Sequence, residues 1–247
     1  MFKRITIIGL GLIGGSLALA IKEKGMAKEI IGVSRRKSTI RKALKNRIVD
    51  FATIDLEDGV RNSDLVIIAT PVFKIVSMTK LIAPFLKKGA ILTDVGSTKR
   101  YIVQSIEKAG LEGIDFIGSH PIAGSEKSGI RSANKDLFKN AWCILTKSNY
   151  TNPKAIGKVK KFWEALGMKT AVMPPGMHDK LLSKISHLPH AAAVSIVNSV
   201  GKNHLNLAAG GFKDATRIAS GEPELWRDVF LTNRENLIKD IRILKKE

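Results

Sequence analysis

The stretch from Ile5 to Ser16, ITIIGLGLIGGS, constrains this chain most. An apolar run that ends in Gly-x-Gly-x-x-Gly passes from a buried strand through a tight turn into a helix. Gly9, Gly11 and Gly14 stand at that spacing. The first glycine permits the turn, the second lets backbone approach a pyrophosphate, and the third lets helix pack close to strand. The helix start then offers free N–H groups and a positive dipole end to an anion. With Ile5, Ile7 and Ile8 before the turn, and residues 17–24 reading as helix after it, the stretch predicts dinucleotide binding. Leu12 and Ile13 fall within the phosphate turn. The alternative is an ordinary strand-to-helix turn.

Residues 29–33, EIIGV, read as a second strand ending where an acid commonly takes the ribose 2′-hydroxyl. Here stand Ser34, Arg35 and Arg36. A hydroxyl and two guanidiniums bind a 2′-phosphate through charge-assisted hydrogen bonds, where an Asp would repel it. The expected cofactor is therefore NADP rather than NAD, unless both arginines merely face solvent.

Residues 38–45 and 74–86 read as helices. Residues 64–70 (DLVIIAT) and 90–94 (AILTD) read as strands buried on both faces. The alternation predicts a Rossmann-type, doubly wound and mainly parallel α/β sheet, with Ala69, Thr70 and Pro71 lining the cofactor crevice. A strand at 116–119 leads to His120 in a loop with Ser125, Glu126 and Lys127, and a strand at 142–146 is expected to close the sheet. Ser97, in DVGSTK, stands at a second strand end, where a helix cap is the simpler reading.

Pro153 opens a helix over 154–166, residues 168–173 read as a further strand, and Pro174-Pro175-Gly176 marks the boundary. The expected domains are 1–174, binding the dinucleotide, and 175–247, a smaller all-α substrate and dimerisation domain. The latter reads as long helices over 179–203 and 225–245, with Asp179 near a helix start. Its many small residues favour close helix contact with a second copy, giving a homodimer.

Forty-one Lys and Arg against 22 Asp and Glu give a net charge of +19, a field that attracts anionic ligands. The basic residues are scattered along helix faces without interleaved aromatics, so no specific nucleic-acid partner is expected. No apolar run reaches the roughly 20 residues that span a bilayer, and the N-terminus reads as a strand, so a cytoplasmic location is expected. Cys143, the single cysteine, has no ligand companion; it reads as a buried apolar residue, and no metal is expected.

In combination, GLGLIGGS, DVGSTK, GSHPIAGSEKSG, ISHLPHAAA and FKDATRIASGEPELWRD resemble the prephenate/arogenate dehydrogenase family of tyrosine biosynthesis, in the family's order and across nearly the whole chain. The resemblance implies oxidative decarboxylation of a cyclohexadienol, and Ser34-Arg35-Arg36 is most similar to members using NADP. It implies His120 as proton acceptor, Ser97 as hydrogen-bonding partner of the same hydroxyl near the nicotinamide, and Arg217 as carboxylate binder. His190, and more weakly His187, fall in the substrate pocket, with Ser125 and Glu126 on a nearby loop. Trp226 either walls the ring pocket or is a core aromatic. By spacing alone, His187 and His190 are simply two residues on one helix face. Beyond Trp226-Arg227-Asp228 the sequence is shorter than the family pattern and no regulatory domain is expected. Two other readings remain: another two-domain reductase or hydroxyacid dehydrogenase, and a non-catalytic NADPH sensor.

Overall fold

The computed structural model describes residues 2–247 apart from Glu112 and Glu126, and the backbone alone of Lys202 and Asn203. Six strands form one sheet: β1 (Phe2–Ile8), β2 (Ala27–Val33), β3 (Phe51–Thr53), β4 (Leu65–Ile68), β5 (Ile91–Asp94) and β6 (Asp115–Ile117). Their order is β3-β2-β1-β4-β5-β6, with every pair parallel. Successive residues of a strand point to opposite faces. Ile5, Ile7, Leu65 and Ile67 therefore join the core with α1 (Leu12–Glu23) and α6 (Pro153–Ala165), while Ile8, Val66 and Ile68 join a second core with α4 (Val72–Ile82) and α5 (Arg100–Lys108). Each such side chain stabilises the fold by about 1.5–3 kcal/mol. Helices α2 (Lys37–Lys45) and α3 (Leu56–Val60) flank β3. The strand order reverses between β1 and β4, which opens a ligand crevice outside their carboxyl ends.

The strand at 142–146 does not close this sheet. As β8 (Trp142–Thr146) it pairs antiparallel with β7 (Ser119–Ile122) and parallel with β9 (Lys169–Met173), forming a separate three-stranded sheet. The chain changes sheets at Gly118, whose carbonyl accepts the Thr146 N–H at 2.8 Å. A Cβ on Gly118 would collide with the Thr146 hydroxyl. His120 consequently lies inside β7, opposite Ile144, rather than in a loop.

Beyond β9 the chain is helical. It comprises α7 (Pro175–Leu182), one π-helical turn (Ser183–His187), α8 (Leu188–Ser199), α9 (Gly210–Thr216), α10 (Pro223–Thr232) and α11 (Arg234–Leu244), with 3₁₀ turns at Lys202–Leu207 and Arg217–Ser220. The two long helices expected here are thus each broken. Pro189 has no N–H to return to residue 185, and the widened turn precedes it. Asn233 leaves helical geometry at φ −119 because its side chain is drawn elsewhere. No helix among the described residues is long and apolar enough to cross a membrane.

Candidate active site

The glycine turn divides its tasks as the spacing implies. Gly9 has φ 101, and a Cβ there would collide with the Ala69 carbonyl. A Cβ on Gly14 would collide with the carbonyl of Gly9, so helix and turn touch only because residue 14 has no side chain. Gly11 is different. Nothing lies within 4 Å of its Cβ position, and it begins α1 with no side-chain cap and no acid in the first turn. That open, uncapped helix start, carrying Leu12 and Ile13, fits a phosphate. Beside it, at the end of β4, follow Ala69, Thr70 and Pro71, and the buried Thr70 hydroxyl has no partner among the described residues. The Gly9 N–H donates to the Val33 carbonyl at 2.9 Å, which brings the end of β2 to the same edge. From there Ser34 continues half-buried, and Arg35 and Arg36 are exposed.

Asp94 ties the next two elements together. Its buried carboxylate accepts the Gly96 N–H at 2.8 Å and the Ser119 N–H at 3.1 Å, and it pairs with the equally buried Lys99 ammonium. Ser119 is held further by Thr93 at 2.7 Å and by the Trp163 indole N–H at 3.2 Å. The loop carrying Ser97 and the strand carrying His120 therefore hang from one carboxylate. Ser97 does not cap the following helix. Helix α5 begins at Arg100, and the Lys99 and Arg100 N–H groups donate to Asp179 Oδ1 at 2.7 Å and Oδ2 at 3.0 Å, across from α7.

The same Asp179 orders the histidines. His178 Nδ1 lies 2.7 Å from Asp179 Oδ1, and His178 Nε2 lies 2.9 Å from His120 Nδ1. A carboxylate only accepts, so His178 carries its proton on Nδ1, its Nε2 accepts, and His120 donates from Nδ1. The lone pair of His120 is thereby fixed on Nε2. Burial pushes the His120 pKa well below 6.5, reinforced by His178, Lys99 and His187, and the ring stays neutral as a base. Burial also lowers His178, against the pull of Asp179. Neither His178 nor Asp179 was singled out for this role by sequence. The adjacent pair His178-Asp179 just past the Pro-Pro-Gly boundary was the available signal.

His187 and His190 part company. The Asn233 amide donates to the Asp179 carbonyl at 2.7 Å and lies 3.0 Å from His187 Nδ1, while its oxygen accepts from Asn236 at 2.8 Å. His187 Nδ1 therefore accepts and is occupied internally. His190 stacks flat on Trp226, with centroids 3.5 Å apart at 8°, and its buried Nδ1 has no partner among the described residues. Phe230 completes this aromatic wall at 5.6 Å from Trp226. Arg217 stands exposed in the 3₁₀ turn that packs on α8. Ser125 is exposed and its hydroxyl accepts the Lys127 N–H at 3.2 Å, with no hydrogen bond to the histidine cluster among the described residues. Glu126 lies outside the described residues.

Burial lowers His187 and His190 from 6.5 to about 4. A lowered histidine binds fewer protons folded than unfolded, so its contribution is complete above 6.5 and is lost as pH falls toward 4. The melting temperature is expected to drop between pH 6.5 and about 5, above most carboxylate titrations. Thermal melts across that range check this, and a flat profile would contradict it.

Residues 17–172 match the family model described as prephenate dehydrogenase, nucleotide-binding domain, and residues 174–247 match prephenate dehydrogenase, dimerization domain. The chain belongs to the prephenate dehydrogenase family. The prephenate dehydrogenase of Bacillus subtilis is 38% identical over 245 residues, covering 96% of this chain and 66% of its own length. This chain thus spans slightly under two thirds of that relative. The crystal structure of prephenate dehydrogenase from A. aeolicus in complex with hydroxyphenyl propionate and NAD+ matches with a TM-score of 0.92 at 34% identity, covering 100% of this chain and 88% of that one. Synechocystis arogenate dehydrogenase matches with a TM-score of 0.84 at 34% identity, covering 98% and 88%.

Proposed function

We propose that this chain catalyses NADP-dependent oxidative decarboxylation of a cyclohexadienol, arogenate or prephenate, to tyrosine or 4-hydroxyphenylpyruvate. Residues 1–174 hold the dinucleotide, and residues 175–247 complete the substrate pocket and join two copies into a cytoplasmic homodimer. The carrying observation is the neutral His120 with its lone pair directed to Nε2 by His178 and Asp179.

When bound, the oxidised nicotinamide supplies the acceptor for hydride from C4 of the substrate. His120 Nε2 takes the proton of the 4-hydroxyl, and Ser97 hydrogen-bonds the same oxygen. As His120 becomes cationic, the chain through His178 to Asp179 stabilises the charge. Loss of the ring carboxylate as CO₂ leaves an aromatic phenolate, to which His120 Nε2 returns the proton, giving the phenol and resetting the base. Arg217 offers a planar fork to a substrate carboxylate, and the His190–Trp226 stack walls the same pocket. His187, held by Asn233, supports the pocket from behind, and Ser125 and Glu126 belong to its loop.

Ser34, Arg35 and Arg36 at the β2 edge support NADP here, although the A. aeolicus relative carries NAD+. Exposed Leu225, Leu231, Ile238, Ile241 and Leu244 in the helical half support the dimer, since a lone chain leaves them in water. Steady-state rates with arogenate or prephenate, each with NADP or NAD, test the reading through the rise in absorbance at about 340 nm that marks a reduced nicotinamide. No rise with any pair would remove the activity. The variant Arg35→Ala/Arg36→Ala is expected to raise KM for NADP at least about tenfold with little change for NAD. Equal effects on both cofactors would remove the 2′-phosphate assignment.

A further inference from the structure

At the amino ends of β1, β4 and β5, on the sheet edge opposite Gly9 and Thr70, the structure holds a cleft of about 750 Å³ that the proposed reaction does not use. Pockets of this size take small molecules. Five lysines line it, Lys3, Lys24, Lys87, Lys158 and Lys161, against one acid, Asp64.

That acid is already committed. Its carboxylate accepts the Arg4 N–H at 3.0 Å and the Lys3 N–H, and pairs with Lys87. Burial alone would raise its pKa, but Lys87 and the two amides hold it below the usual carboxylate value, so it stays charged and turned to these partners. Lys3, Lys24, Lys158 and Lys161 have no carboxylate partner among the described residues.

Lys24, at the end of α1, has an ordinary reason to be there, since a cation suits a helix carboxyl terminus. Lys158 and Lys161 do not. They stand three residues apart within α6, where like charges repel. The same helix offers a remedy it does not use for them: Glu164 pairs with Lys160 at 3.7 Å instead. Two uncompensated cations are thus aimed into a concave site, and local stability gives no reason for them.

The floor of the cleft is apolar. Half-buried Phe2 lines it, backed edge to face by the buried Phe162 with centroids 6.2 Å apart. A cationic rim over an aromatic floor selects an anion with a flat apolar body rather than a bare inorganic ion. We propose that this cleft is a second ligand site, separate from the dinucleotide edge, for a small aromatic dianion bearing carboxylate, sulfonate or phosphate groups.

Naphthalene-2,6-disulfonate serves as the probe, titrated calorimetrically into the full chain in about 0.1 M salt, with and without saturating NADP. One saturable site per chain is expected, unchanged by NADP. Lys158→Glu/Lys161→Glu should weaken it at least about tenfold while NADP affinity and melting temperature stay as in the parent. His120→Asn should leave it intact. Displacement by NADP, no saturable binding, or undiminished affinity in the double charge reversal would each overturn the site. So would failure of the probe beside duplex DNA binding that the double reversal abolishes, which would assign the lysines to nucleic acid. None of these readouts requires turnover, so the site stands or falls independently of the proposed reaction.

Discussion

His120→Asn is expected to lower kcat by about 10²- to 10⁴-fold, the usual contribution of a positioned general base. Asparagine keeps a polar group of similar reach in β7, and its amide N–H can still donate to His178 Nε2. It has no lone pair basic enough to take the hydroxyl proton. KM should change far less, because the groups assigned to the substrate carboxylate lie elsewhere, on Arg217 and the His190–Trp226 stack. The pH profile gives an independent check. With the His120 pKa held well below 6.5 by burial and by neighbouring His178, Lys99 and His187, the parent keeps its base unprotonated through pH 6.5 and loses kcat/KM only at lower pH. The variant should lack that acid limb. Steady-state rates from acidic to neutral pH measure both effects, and near-normal turnover by His120→Asn would take this residue out of the mechanism.

What the sequence revealed of this site and what it hid divide along chain distance. The glycine turn is local: strand, turn and helix lie within Phe2–Glu23, with Gly9 against Ala69, Gly14 against Gly9 and Gly11 left open. The parallel sheet was equally readable, since strands buried on both faces are continuous apolar runs such as Leu65–Ile68. The second sheet was not, because WCILT is apolar whichever sheet it joins. Gly118, against Thr146, decides the matter only in three dimensions. Strand β3 and helix α3, at 3 and 5 residues, are too short to show a period.

Hydroxyl and imidazole partners followed the same rule. Ser97 looked like a helix cap because a serine before a helix usually is one. The true cap of α5 comes from Asp179, 80 residues away for the Lys99 amide, and the partner of His120 comes from 58 residues away. A motif shows which residues are present, and only the fold shows which proton sits on which nitrogen.

Asp179→Asn isolates that last point, because it changes one oxygen to NH₂ at a site where three groups donate. Its carboxylate receives the Lys99 and Arg100 amides and His178 Nδ1. An amide has one accepting oxygen, so its NH₂ must face a donor, and each donor left unsatisfied costs about 1–3 kcal/mol. With the NH₂ in the Oδ1 place it faces both the Lys99 amide and His178, and of these two only His178 can adapt, by moving its proton to Nε2. That proton would face His120 Nδ1, which must then accept, and the proton of His120 is driven onto Nε2, where the base is needed. The expected result is a kcat about 10²- to 10⁴-fold below the parent in a protein that still folds, the behaviour of a triad whose tautomer is reversed. Asp179→Ala instead strips all three donors of their acceptor and should lower the melting temperature markedly. A purely structural Asp179 predicts the opposite pattern, with stability lost and kcat per folded molecule retained. The double variant His120→Asn/Asp179→Asn separates the two accounts further. If Asp179 acts through His120, the double variant is no slower than His120→Asn alone, because the second change has no base left to misdirect. Rates that multiply across the two substitutions would show that Asp179 acts on the site by another route.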